Sequence, residues 1–399
     1  MITRFDIEKA YQYLLILLAF LIPLTVFGAN LIIVIIVLLW ILTGNYKLKF
    51  YQIFNNKLMV ASIVFFAIHV IGLLWTEDKA WGLHIVHKMW YFLLLLPVLF
   101  TIVKKEYIKH YVYAFLFALL VTITLSYLIW FELIPPFKEA NIFDPTPFMS
   151  HVSYNPILLF GIYLMYHETI FNKNLTKLKI FLYCFVSIAM TFNMFITLGR
   201  AGQVVFFLMV PIFIFQCFPR YKFKAILLSL IIVPSIFLSA YQASDFFKLR
   251  VDNTVVAVTT YNDNNFTSLG IRLTYAINSV ELIKENLLFG VGTGDLPNEL
   301  NKINMKNTPN MPSTTNPHNM YILVLVQLGL LGFISLLSIL YYQIKLSFYG
   351  SNKFIRDFGI TLPLLFFALM LSDSYLLGHF TSLMFVFFSS FLYKNFEIQ

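Results

Sequence analysis

Hydrophobic and polar positions alternate along this chain in long blocks. Apolar runs occupy 11–27, 29–43, 58–75, 85–103, 111–131, 152–170, 180–198, 202–218, 225–241, 319–342, 358–372 and 379–393. Each approaches the length of about 20 residues that a helix needs to cross a bilayer. The strands of an outer-membrane barrel would instead alternate apolar and polar residues. The pattern therefore predicts an all-α, polytopic membrane protein with about 12 transmembrane helices. The first run follows Arg4 and Lys9 as a secretory leader would, but it leads almost directly into the second without a small-residue cleavage site, which predicts a retained first helix.

One interval breaks the rhythm. Between the ninth and tenth runs lie residues 242–318, a polar stretch of 77 positions with seven acidic and six basic side chains, far longer than an ordinary connection. Inside it Leu269, Leu273, Ala276, Ile277, Val280, Ile283 and Leu287 recur at the spacing of one helix face. This predicts an amphipathic helix over 268–288, on or near a membrane surface, with Thr267 or Ser268 as its cap and Gly290 as its end. The chain thus divides into helices 1–9 over residues 1–241, the large loop over 242–318, and helices 10–12 over 319–399. A second polar interval, 132–151, carries Glu132, Pro135, Pro136, Glu139, Asp144, Pro145 and Pro147 and reads as a rigid cover beside the large loop.

Composition sharpens the class. With 59% hydrophobic and 12% charged residues, against about 25% charged in soluble proteins, a water-soluble fold is excluded. The net charge of +9 does not point to nucleic acid, because the basic residues are scattered between spans and not gathered on one surface. Cys184 and Cys217 lie in apolar runs and support neither a disulfide framework nor a zinc site. The distribution of charge sets orientation: with a cytoplasmic N-terminus, 18 of the 28 basic residues fall in cytoplasmic segments, as the positive-inside rule requires. Both termini are then cytoplasmic, and 132–151 and 242–318 are external.

Few residues could carry chemistry on that external face. Arg200, in Thr197-Leu-Gly-Arg-Ala-Gly202, either snorkels to lipid headgroups or clamps a phosphate, since a planar guanidinium matches phosphate oxygens bidentately. Arg272 falls one turn into the amphipathic helix, where backbone N–H groups also favour an anion; the alternative is a solvated helix face. His318, in Asn316-Pro-His-Asn-Met-Tyr321, places an imidazole where the loop re-enters the membrane, either as a base for a hydroxyl or as an interfacial histidine satisfied by a carbonyl. His84, His87 and Lys88 enter the membrane from the same side. Asp144, His151 and Asp295 are spread over the two loops 132–151 and 242–318, so no metal site and no cofactor are expected. The Gly290-Val-Gly-Thr-Gly294 run lacks the Lys-Ser/Thr of a phosphate loop and reads as a helix-ending turn.

Leu287-Leu-Phe-Gly-Val-Gly-Thr-Gly294, followed by Pro317-His-Asn-Met-Tyr-Ile-Leu-Val-Leu-Val-Gln-Leu-Gly-Leu-Leu-Gly332, resembles the signature of the O-antigen ligase and polymerase superfamily. The resemblance implies a GT-C-type membrane glycosyltransferase that acts on an undecaprenyl-diphosphate-linked glycan at the periplasmic face of the bacterial inner membrane. It implies that Arg200 and Arg272 bind the diphosphate and that His318 activates the acceptor hydroxyl. The substrate-binding set is then Arg200, Arg272, Lys88, Asn319 and His151. The acceptor is lipid A-core for a ligase, with a polymerase or a protein oligosaccharyltransferase as the alternatives. A lipid-linked-sugar flippase would need polar groups through the membrane midplane, whereas the ionisable residues cluster at one boundary.

Overall fold

A computed structural model describes residues 4–261 and 265–396. Among the described residues the chain is helical throughout, without a β-strand; one isolated bridge pairs Asn141 with Asp144. A helix coincides with each of the twelve expected apolar runs. By length and composition seven of the described helices can cross a membrane, or eight if the bent pair Val26–Leu42 and Tyr46–Asn55 counts as one span. The chain is a multi-pass membrane protein.

Two boundaries differ from the sequence reading. The first helix, Arg4–Leu21, stops before Pro23, and the second starts at Val26; proline cannot donate to the preceding turn, so the apolar run breaks there and not near residue 28. The interval 44–57, read as a plain connection, holds the helix Tyr46–Asn55, bent by 116° from the helix before it. The bend follows Gly44 and Asn45, both in the left-handed region at φ 60° and 54°, which glycine and asparagine tolerate best.

The chain forms two compact units, one of residues 1–39 and 102–252, the other of 40–101 and 253–399. In the first, Arg4–Leu21 packs on Ile108–Trp130, and His151–Phe171 packs on Lys177–Ile196 and Arg200–Cys217. Its polar interior is paired: the buried Asn193 donates to Ser126 Oγ at 2.8 Å and accepts from the Tyr154 hydroxyl at 2.6 Å. Lys222–Ala243 packs on Arg200–Cys217 and leaves Phe223, Leu230 and Ile231 more than 60% exposed. An apolar surface of that extent suits lipid and not water.

The second unit is organised by Met320–Ser347, which packs on Lys57–Ile71 and Lys353–Leu369. His379–Leu392 has 14 residues, and every side chain from Thr381 to Leu392 is buried, so protein rather than lipid surrounds it. The large loop folds into three helices, Asp245–Thr259, Ser268–Glu285 and Leu296–Asn307. Ser268–Glu285 is the expected amphipathic helix, capped by Thr267 Oγ1 on Gly270 N–H at 3.0 Å. It ends at Asn286 rather than at Gly290. Its polar face, with Thr274, Asn278 and Ser279, is buried, while Leu273, Ile277 and Val280 are exposed. The apolar stripe therefore points away from the protein, the orientation of a helix lying on a bilayer surface.

The Gly-rich motif has a structural task that its sequence did not reveal. Met320–Ser347 is broken at Gly329, where φ is 59° and ψ −155°. Such a break leaves backbone groups without helical partners, which is costly inside a membrane protein. Residues 287–293 lie against the break and supply them: Val291 and Gly292 N–H donate to Val326 and Gln327 carbonyls at 2.8 and 3.0 Å, and Leu330 N–H donates to the Leu287 carbonyl at 2.8 Å. The Gln327 amide donates to the Thr293 carbonyl at 2.8 Å, and the Thr293 hydroxyl to the His69 carbonyl at 2.7 Å. The backbones are so close that a Cβ at Gly290 or Gly329 would come within 2.4 Å of the facing chain. The motif is thus a weld between the loop that carries Arg272 and the helix that follows His318.

Candidate active site

In the second unit, two of the expected functional residues meet one short loop. Between Lys353–Leu369 and His379–Leu392 the chain runs through Leu371-Ser-Asp-Ser-Tyr-Leu-Leu-Gly378. Arg272, in the first turns of Ser268–Glu285, donates from Nη1 to the Ser372 carbonyl at 3.1 Å. His318 Nδ1 lies 3.1 Å from Asp373 Oδ2. An arginine and a histidine that are 46 positions apart in the chain are thereby tied to consecutive residues.

Asp373 is prepared for the histidine. It also accepts from the Asn316 amide at 2.8 Å and from Ser374 N–H at 2.7 Å. Burial pushes its carboxyl up, but the hydrogen bond and charge of His318, the Ser374 N–H and the Asn316 amide outweigh burial and hold it below the usual carboxylate value. Asn316 accepts, through Oδ1, from His318 N–H at 2.9 Å and from the Ser374 hydroxyl at 2.8 Å. His318 itself has φ 54°, a region that non-glycine residues occupy only when their surroundings dictate it. Met320 N–H donates to the Met370 carbonyl and the Asn319 amide to the Leu371 carbonyl, at 2.9 and 3.0 Å. Asn319 Oδ1 caps the following helix through Tyr321 and Ile322 N–H.

Chemically, an ionised Asp373 on Nδ1 fixes the imidazole tautomer and leaves Nε2 as the basic nitrogen. The His318 side chain is 31% exposed, enough for a solute to reach it. Sequence reasoning missed Asp373. The available signal was its isolation: it is the one acidic residue from 358 to 396, between the last two apolar runs, where an ionisable group is a functional candidate by default.

In the first unit, Arg200 opens the helix Arg200–Cys217, immediately after the turn Thr197-Leu-Gly199. That turn meets a second histidine–aspartate pair. Asp144 Oδ2 lies 2.7 Å from His151 Nδ1, and Oδ1 accepts from Leu198 N–H at 3.0 Å. His151, expected as a binding residue on a separate loop, is thus brought to the arginine's own turn. Lys88 is half-buried on Lys79–Trp90, and no hydrogen bond or ion pair among the described residues ties it to either group. One turn further on, Tyr91 hydrogen-bonds His379 Nδ1, at the end of the Asp373 loop. Among the described residues no group of three or more His, Cys, Asp or Glu side chains is arranged to hold a metal ion.

The comparison with curated proteins gave no match. The O-antigen ligase family model matches residues 185–337, a segment that includes both recognised motifs, Arg200, Arg272 and His318. Lys88, His151 and Asp373 lie outside it. Over residues 185–337 the chain is thus similar to the O-antigen ligase family.

Proposed function

We propose that this protein is a glycosyltransferase of the bacterial inner membrane, with twelve crossings, both termini cytoplasmic, and the 132–151 and 242–318 loops on the periplasmic face. It transfers a glycan from undecaprenyl diphosphate to a hydroxyl of lipid A-core, as an O-antigen ligase. His318 Nε2 removes the proton from the acceptor hydroxyl; the oxygen attacks the anomeric carbon; the bond to the diphosphate breaks with its electron pair on the phosphate oxygen. Arg200 and Arg272 neutralise the diphosphate that leaves, and Lys88 and His151 assist in binding it. Asn319 acts through the turn that presents His318. The donor is already an activated glycosyl phosphate, so the transfer uses no nucleotide.

The observation that carries this reading is the attachment of Arg272 and His318 to one loop, with Asp373 holding Nδ1 of the histidine. A base oriented by a carboxylate beside a cation is the equipment for proton removal coupled to departure of an anion. The test has two parts. Purified protein in detergent, given a polyprenyl-diphosphate-linked glycan and lipid A-core, joins them; no product with folded protein would reject the reaction. Lipopolysaccharide from a deletion strain then separates the acceptors. Loss of all O-chain identifies a ligase, a core with one repeat unit a polymerase, and unchanged lipopolysaccharide a protein-directed enzyme.

A further inference from the structure

The pairing of Asp144 in the first unit is not explained by the transfer chemistry alone. Its side chain is 8% exposed and its two carboxylate oxygens serve different elements: Oδ2 holds His151 Nδ1, and Oδ1 holds the N–H of Leu198, two residues before Arg200. Asp144 is itself fixed by Asn141, whose side chain accepts from its N–H at 2.9 Å and whose backbone N–H donates to its carbonyl at 3.1 Å.

The turn it holds has little freedom. Asn155, fully buried, donates to the Gly199 carbonyl at 2.8 Å and accepts from the Thr197 hydroxyl at 2.8 Å. A Cβ at Gly199 would come 2.4 Å from the Asn155 amide. Asn155 is four residues after His151 on the same helix, so the two side chains share a face. That face therefore meets the Arg200 turn twice, directly through Asn155 and through Asp144 from His151.

We propose that Asp144 is a positioning residue that sets, from one carboxylate, both prongs of a diphosphate grip: the Arg200 guanidinium and the His151 imidazole. The proposal rests on the reading that Arg200 acts on the donor's diphosphate. With Nδ1 engaged by Asp144, His151 presents Nε2, and its side chain is 36% exposed. The helices that begin at His151 and Arg200 have no side-chain cap at Ser150 or Gly199, so the positive ends of both helix dipoles add to the preference for an anion. An imidazole and a guanidinium on two uncapped helix starts suit a phosphoryl group better than a neutral sugar or a cation. The carboxylate is sheltered and occupied by two donors, so the anion meets the guanidinium and the imidazole and not Asp144.

The experiment measures binding of farnesyl diphosphate to the purified full-length protein in detergent, together with the KM of donor and acceptor in the transfer assay. Asp144→Ala and His151→Phe are expected to weaken farnesyl diphosphate about tenfold and to raise the donor KM while leaving the acceptor KM unchanged. Asp144→Asn recovers part of the loss, because its amide oxygen still accepts from Leu198 N–H. Wild-type affinity and donor KM in Asp144→Ala, with binding lost in Arg200→Ala, would overturn the positioning role and leave the diphosphate reading in place. If Asp144→Ala does not fold, His151→Phe decides in the same way. Equal binding by wild type and Arg200→Ala would sink the diphosphate reading and the proposal with it.

Discussion

Each compact unit carries one of the two arginines proposed to bind the diphosphate and, among the described residues, a histidine–aspartate pair, yet the parts are divided differently. In the second unit Asp373 serves the histidine: with Asn316 and Ser374 it fixes an imidazole whose backbone is already forced to φ 54°, while Arg272 takes the neighbouring carbonyl of Ser372. In the first unit Asp144 is shared, one oxygen on His151 and the other on the turn that leads into Arg200. The first arrangement concentrates on one nitrogen, as a base requires. The second spreads over an imidazole and the turn that leads into a guanidinium, as an anion grip requires. The same residue types therefore support two tasks, told apart by what the carboxylate holds.

The largest effects should come from the arginines. Arg200→Ala and Arg272→Ala are each expected to lower the rate of transfer by about 10²- to 10³-fold, measured with purified variants of unchanged thermal stability; replacement by lysine restores little, because it cannot match two phosphate oxygens at once. Equal loss in both units is what a shared leaving group predicts. A loss confined to one would break the comparison.

Asp373→Asn should cost less, about 10- to 100-fold, the value of a charge-assisted hydrogen bond. In the wild type Asp373 is held below the ordinary carboxylate value. Its contribution to stability is thus present above the unfolded value of about 3.9 and is lost as pH falls through the lower, folded value. A wild-type rate in Asp373→Asn would mean that the pair does not govern the base.

Gly329→Ala strains a residue at φ 59° and drives a Cβ to 2.4 Å from the Leu288 carbonyl carbon, at a cost of about 1–3 kcal/mol. A lower midpoint in detergent melting is expected, with a smaller loss of rate per folded molecule than at Asp373. The smallest effect is expected at Lys88→Met, a few-fold rise in donor KM, in keeping with a half-buried cation worth about 1 kcal/mol or less.

Much of this was legible in the chain. The apolar runs located the helices, and the spacing from Leu269 to Leu287 located the loop helix, because both depend on local periodicity. Arg200 and His318 were visible as costly polar groups at the ends of apolar runs, and Arg272 by its place one turn into the loop helix. Asp373, the shared role of Asp144 and the weld at Gly329 were not, because each depends on contacts between residues 34 to 55 positions apart. The Gly-rich run looked like the end of a helix; its glycines are instead needed where two backbones pass too closely for a Cβ.

The central claim is that His318 Nε2 is the base. Its direct test is the transfer rate of His318→Ala, with and without added imidazole, in protein that melts like the wild type. A fall of about 10²- to 10⁴-fold, partly restored by imidazole, is the predicted result; transfer at the wild-type rate would contradict it.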